Sequence, residues 1–333
     1  MGQKIVKRQH YVPRTYLKHF SKLIDDKYII NALPRLENKE KKIFESNIEN
    51  VCLKKHIYTL PGNTPEEKML LEKFYSDEFE SKYDDIYSIL VDPNKKTITK
   101  DERDLIISTV VTMFYRTTWW LNQHKDLIKR LFENMFQVCK QTGKDYFIFE
   151  KKKISIAGKT VEQLVKEYTE KNRPMHVLTQ LEVAMKLRKK RIERDTIHVS
   201  KLDEQETEFI TSDNPVIAAN PYQKRPIPFD EENILKLPLD NKHILYLFPY
   251  FGKDTHKLIN RKNISGKTAK MEKLVTNYEL VSMAQRFIFG SKSALKSYLT
   301  TKEKSERTLT DKENRVIKSY KDILDKGEEL GLF

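Results

Sequence analysis

Thr99–Lys140 reads TKDERDLIISTVVTMFYRTTWWLNQHKDLIKRLFENMFQVCK, with neither proline nor glycine. Leu105, Ile106, Val110, Met113, Phe114, Leu121, Ile128, Leu131, Phe132, Met135 and Phe136 recur along it at three- and four-residue spacing. That period puts them on one helical face, so the stretch predicts one long helix, or two with a kink near Trp119-Trp120. Working toward the N-terminus, Thr64 as N-cap and Pro65 in the first turn open a helix to about Leu90. Residues 27–31 read as a short strand. Val12, Tyr16, Leu17 and Phe20 give residues 11–20 the spacing of a short amphipathic helix. Toward the C-terminus, helices are expected from Thr160 to Lys171 and from after Pro174 to about Arg191.

The texture changes after Arg194. Thr196–Val199, Glu208–Thr211 and Ile244–Phe248 are rich in β-formers. Pro215, Pro221, Pro226, Pro228, Pro238 and Pro249 punctuate them as turns. A helix from Ser265 to Ala284, a strand Arg286–Gly290 and a charged helical tail from Glu303 complete the chain. The expectation is an α+β fold, a mainly helical first half packed on a smaller mixed or antiparallel sheet from the second half. No linker composition divides it. Residues 1–300 are read as one compact domain, helical over residues 1–194 and sheet-containing over residues 195–290, with 301–333 as a peripheral helix.

Sixty-two Lys+Arg stand against 48 Asp+Glu, a formal net charge of +14 over 333 residues. Such a balance favours polyanionic partners, although a lysine- and isoleucine-rich composition is also what an AT-rich genome produces. Cys52 and Cys139 lie in apolar surroundings without a CxxC pattern, as buried thiols in a reducing compartment do. No apolar leader and no run of about 18 apolar residues is present. The chain therefore reads as cytoplasmic, with no membrane partner.

Three places carry polar chemistry. Lys7–Phe20, KRQHYVPRTYLKHF, puts His10, Arg8 and Arg14 among anchoring apolar residues. Phe209–Val216, FITSDNPV, ends a β-rich run in four small polar side chains. Strand ends display functional groups, and an ordinary Asx turn stopped by Pro215 fits the same letters. Arg116 interrupts the most apolar stretch of the chain. A guanidinium there requires a carboxylate or a bound anion; a structural pair with Asp213 is one solution and an anion clamp the other.

These three places resemble a mainly bacterial family, domain of unknown function 4238, in the QHYVPR start, the internal Arg-Thr and the TSDNP box. Pro238-Leu239 and Asn277…Ala284-Gln285-Arg286 extend the resemblance over about residues 8–290. The family's arginine is often followed by Thr-Pro, whereas Thr117-Thr118 stand here. The resemblance implies that its motifs meet in one cleft, which would gather Gln9, His10, Tyr11, Arg14, Arg116, Thr211, Ser212, Asp213, Asn214 and Asn277.

Residue types then suggest the chemistry. His10 is the natural acid or base near neutral pH and Asp213 its partner. Arg14 and Arg116 suit a phosphate clamp, and Ser212 is a candidate nucleophile without a G-x-S-x-G elbow. Gln9, Tyr11, Thr211, Asn214 and Asn277 would contact substrate. The expectation is a metal-independent ribonuclease acting as a toxin or phage-defence effector, with no cofactor and with RNA favoured over DNA. The alternative is a non-catalytic nucleic-acid or nucleotide binder in which His10, Arg116 and Asp213 form a structural network. The run 186–194, with Arg188, Lys189, Lys190 and Arg191, is the candidate nucleic-acid contact, or a solvated helix end that offsets the macrodipole. A second basic stretch holds Lys253, Lys257, Arg261, Lys262, Lys267 and Lys270, with Tyr250 and Phe251 as its only aromatics.

Overall fold

In a computed structural model, residues 5–203, 205, 207–220, 222, 229–249 and 257–329 are described. Pro221, Pro226, Pro228, Tyr250, Phe251 and Lys253 lie outside them. The long apolar run forms two helices, α4 (Lys100–Tyr115) and α5 (Thr118–Thr142). Thr99 and Glu102 close a capping box at the start of α4. The break falls at Arg116-Thr117, just before the tryptophan pair, because Thr117 is extended (φ −73, ψ 162).

The expected helix over 64–90 is interrupted. It runs as α2 (Pro65–Tyr75), a π-turn over Ser76–Glu80, and α3 (Tyr83–Val91). Conversely, the two helices expected on either side of Pro174 are one, α6 (Val161–Arg194), with the proline inside it. Proline removes one backbone donor and crowds the preceding turn. Here α6 continues because it packs along both α4 and α5, burying Val177 and Ala184 beyond the proline.

The N-terminal region contains more strand than its sequence suggests. It holds β1 (Arg8–His10), β2 (Lys22–Ile24), β3 (Lys27–Pro34), β4 (Phe44–Asn47) and β5 (Leu53–Lys55). The short helix α1 (Arg14–Leu17) and a 3-10 turn stand between β1 and β2. After the hairpin β6 (Tyr146–Phe149) and β7 (Lys152–Ser155) comes the region following α6. It supplies β8 (Asp195–Leu202), β9 (Thr211–Ser212), β10 (Ile217–Ala219), β11 (Ile234–Pro238), β12 (His243–Pro249) and β13 (Ile259–Ile264). Helix α7 (Gly266–Met283), β14 (Phe287–Gly290) and α8 (Lys292–Glu329) follow.

The fold is α+β, with two five-stranded sheets rather than one. The first has the order β10-β11-β12-β8-β13, antiparallel except for β13 beside β8. The second joins both ends of the chain as β2-β3-β14-β9, with β4 also on β3. One buried cluster takes Val12, Tyr16 and Tyr58 from the N-terminal region, Ile106 and Val110 from α4, and Ile197 and Leu245 from the first sheet. Helix α8 begins well before Glu303, and its first turns bury Ala294, Leu295 and Leu299 against Leu33 and Ile288. Among the described residues no helix is long and apolar enough to cross a membrane.

Candidate active-site cleft

The polar motifs meet mainly inside the protein. Gln9 is fully buried; its Oε1 accepts from the Tyr58 N–H at 2.7 Å. The Tyr58 hydroxyl donates to the Arg116 carbonyl at 2.6 Å. Arg116 Nη2 donates to the His10 carbonyl and to Glu80 Oε1, each at 2.7 Å. The guanidinium also lies 4.4 Å from the centre of the Tyr75 ring. Burial opposes its charge, but Glu80 and Tyr58 outweigh that and push its titration above the ordinary arginine range. The carboxylate that pairs with Arg116 is thus Glu80, not Asp213.

The TSDNP box is wholly buried and internally bonded. Thr211 Oγ1 and the Tyr16 hydroxyl are 2.6 Å apart. Ser212 Oγ accepts from the Asn214 N–H. Asp213 accepts from the Gln285 and Arg286 N–H groups, both at 2.8 Å. Burial raises the Asp213 pKa, and these backbone donors counter that rise. Thr117 donates to Asn214 Oδ1 at 2.9 Å, and Asn214 Nδ2 donates to the Met283 carbonyl. Asn277 accepts from the Ile210 N–H and donates to the Glu208 carbonyl. That clamp takes the donor of Ile210 out of any sheet ladder, which shortens the expected 208–211 strand to β9. Tyr11 is buried, and its N–H donates to the Cys52 carbonyl.

His10 stands at the edge of this interior. Its carbonyl is held by Arg116, and the residue lines a cleft of about 700 Å³ between β1, α2 and the π-turn. Glu72, Glu80, Arg8, Arg14 and Lys73 line the same cleft. His10 Nε2 and Glu72 Oε2 are both buried without a hydrogen-bond partner. Burial first, then the charge of Arg14, lowers the His10 pKa. Burial raises the Glu72 carboxyl to about 7, with Arg116 pulling it down and Glu80 pushing it up. Arg14 reaches across the mouth to Glu49 at 3.0 Å with its side chain half exposed.

The cleft thus carries an imidazole whose pKa is lowered and a carboxyl raised to about 7, residue types on which acid–base chemistry draws. Glu72 and Glu80 have no motif around them. Glu72 follows Met69-Leu70-Leu71 on an acid-rich helix, and its burial beside Arg116 and Glu80, rather than local sequence, distinguishes it.

The basic run at the end of α6 is largely committed to the fold. Arg188 forms a two-pronged pair with Asp104 at 2.6 and 2.7 Å. Arg191 is buried on Asp195 at 2.5 Å, and Lys190 meets Glu231 at 2.9 Å. Lys189 is exposed.

The motifs therefore do not meet in one cleft as expected: Gln9, Tyr11, Arg116, Thr211, Ser212, Asp213, Asn214 and Asn277 are buried in an α+β fold, and only His10 and Arg14 of that set reach the pocket that holds Glu72. The chain belongs to the family described as "Protein of unknown function (DUF4238)", which it matches over residues 8–294. No curated protein and no solved structure matches it significantly.

Proposed function

We propose that the His10–Glu72 cleft cleaves RNA by general acid–base chemistry on the 2′-hydroxyl and the leaving 5′-oxygen. The observation that carries this reading is the pair of buried, unpartnered atoms, His10 Nε2 and Glu72 Oε2, in one cleft. His10, neutral because its pKa is lowered, takes the 2′-hydroxyl proton. Glu72, titrating at about 7, protonates the departing oxygen. Arg14 at the mouth meets the phosphate. Arg116 acts as a positioning residue, fixing the His10 backbone and Glu80 rather than clamping substrate. Directed at host or phage RNA, this activity makes the protein a toxin or a defence effector.

Purified protein incubated with total RNA and with plasmid DNA tests the reading. The expected product is RNA ending in 2′,3′-cyclic phosphate, with DNA intact. His10→Asn and Glu72→Gln should each lower kcat by roughly 10²–10⁴ without lowering the melting temperature. The rate should rise with pH through the depressed His10 titration and fall as Glu72 ionises around 7. No RNA product, or equal cutting of DNA, would sink it.

A second reading is supported by the bonding of the motifs. His10 is linked to Asp213 through Arg116, its neighbour Thr117, and Asn214, a structural network compatible with a non-catalytic nucleotide or nucleic-acid binder. RNA retention without product, unaffected by His10→Asn, would favour it.

A further inference from the structure

The contact between α5 and α6 holds a second set of polar nitrogens, apart from the cleft. The rings of His124 and His176 lie with centroids 3.5 Å apart. The Nε2 of each is buried and unpartnered, as is the Nε of Arg173. Arg173 precedes His176 by three residues and shares its face of α6. Buried polar nitrogens left open are costly; Arg173 Nε is a donor, each neutral imidazole has one N–H to turn outward, and together they suit a ligand with several acceptor oxygens.

Charge selects the ligand. Lys54 of β5 lies within electrostatic range of Arg173 and Lys125, and none of the three forms an ion pair with a described residue. Two carboxylates face the group. Glu170 acts on Lys54 and Arg173, and Glu150, which accepts from the Tyr168 hydroxyl, acts on the imidazoles. Three cations against two carboxylates repel a metal dication, and among the described residues no set of three or more His, Cys, Asp or Glu could hold one. Burial lowers both histidines, His176 to about 4, so at neutral pH each ring is neutral and still offers one N–H.

We infer that the corner formed by α5, α6 and β5 is a binding site for a phosphate group, free or carried by a nucleotide or a strand. Arg173 and the two imidazole N–H groups supply directed donors, and Lys54 and Lys125 supply charge. The bound anion favours the imidazolium forms, so affinity increases as pH falls toward the histidine titrations, with Lys54, Lys125, Arg173, Glu150 and Glu170 as the surrounding charges.

Inorganic phosphate titrated into the full chain, followed by the ring C2–H resonances of the histidines, tests this. His124 and His176 should shift saturably while His243 does not. The double variant Lys54→Met/Arg173→Met should bind phosphate at least tenfold more weakly. In phosphate-free buffer it should melt no lower than the parent, because like charges have been removed; a purely structural role would lower its melting temperature. Lys125→Gln, on an exposed helix position, should weaken phosphate binding. Parallel titrations with a mononucleotide and an oligonucleotide identify the source, since the natural carrier binds tightest. Unchanged affinity in the variants, or saturable shifts with Zn²⁺ but none with phosphate, would overturn the inference.

Discussion

Glu72 separates what residue types reveal from what packing creates. His10, Arg116 and Asp213 are conspicuous in the sequence as polar groups among apolar neighbours, and each is at a structural junction. Asp213 accepts two backbone donors at once, which explains a carboxylate at that point of the box. Glu72 looks like any other acid on its helix until folding buries it. Its carboxyl titrates at about 7 against an ordinary 4.5, so the folded state keeps a proton that the unfolded chain releases. Stability from that proton is complete below about 4.5 and is lost as pH rises through about 7, on the order of 3 kcal/mol in all. Glutamine does not titrate. Glu72→Gln should therefore match the parent near pH 4 and exceed it in urea midpoint at pH 8. A variant less stable than the parent at pH 8 would mean that the ionised carboxylate is well satisfied in the fold, against its role as an acid.

At the level of elements, the apolar spacing located α4 and α5 to within a few residues; α5 buries one face, through Ile128, Phe132 and Phe136, whereas α4 is buried on nearly every side from Ile106 to Tyr115. The spacing failed where tertiary contacts override local preference. Pro174 suggested a boundary, yet α6 runs through it against two helices. Apart from β3, legible in part as residues 27–31, the strands of residues 8–55 are three or four residues long, too short for an alternating pattern to stand out from loop. Helix α7 shows how such weak strands are held. From it Asn277 imitates a strand edge, accepting from Ile210 and donating to Glu208, and so delivers the chain to β9. Asn277→Ala leaves the buried Ile210 N–H without its acceptor and should cost about 2 kcal/mol in chemical unfolding. The same variant should lose hydrogen-exchange protection at the Ile210 amide before that of β12. Uniform loss across both sheets would instead mean that the clamp serves the whole fold and not this strand.

Across the whole molecule, the excess of 62 basic over 48 acidic residues suggests a polyanion surface, with the run 186–194 as its candidate location or as a solvated helix end. Composition cannot tell a committed charge from an available one. Arg188 and Arg191 are engaged by Asp104 and Asp195, a distinction that exists only after folding brings α4 and β8 to α6. The lining of the proposed cleft carries more acid than base, with Arg8, Arg14 and Lys73 against Glu49, Glu66, Glu72, Asp77 and Glu80. If RNA is held chiefly there, few phosphates are neutralised and few counterions are released. A single strand loses affinity with a log–log salt slope of about −0.7 per phosphate contacted, so three cations allow a slope no steeper than about −2. Binding of a labelled oligoribonucleotide to His10→Asn protein across a salt series measures this directly. A slope near −2 that flattens on Arg14→Gln keeps substrate recognition in the cleft. A slope twice as steep, unmoved by Arg14→Gln, would transfer recognition to the wider basic surface and separate it from the His10–Glu72 pair.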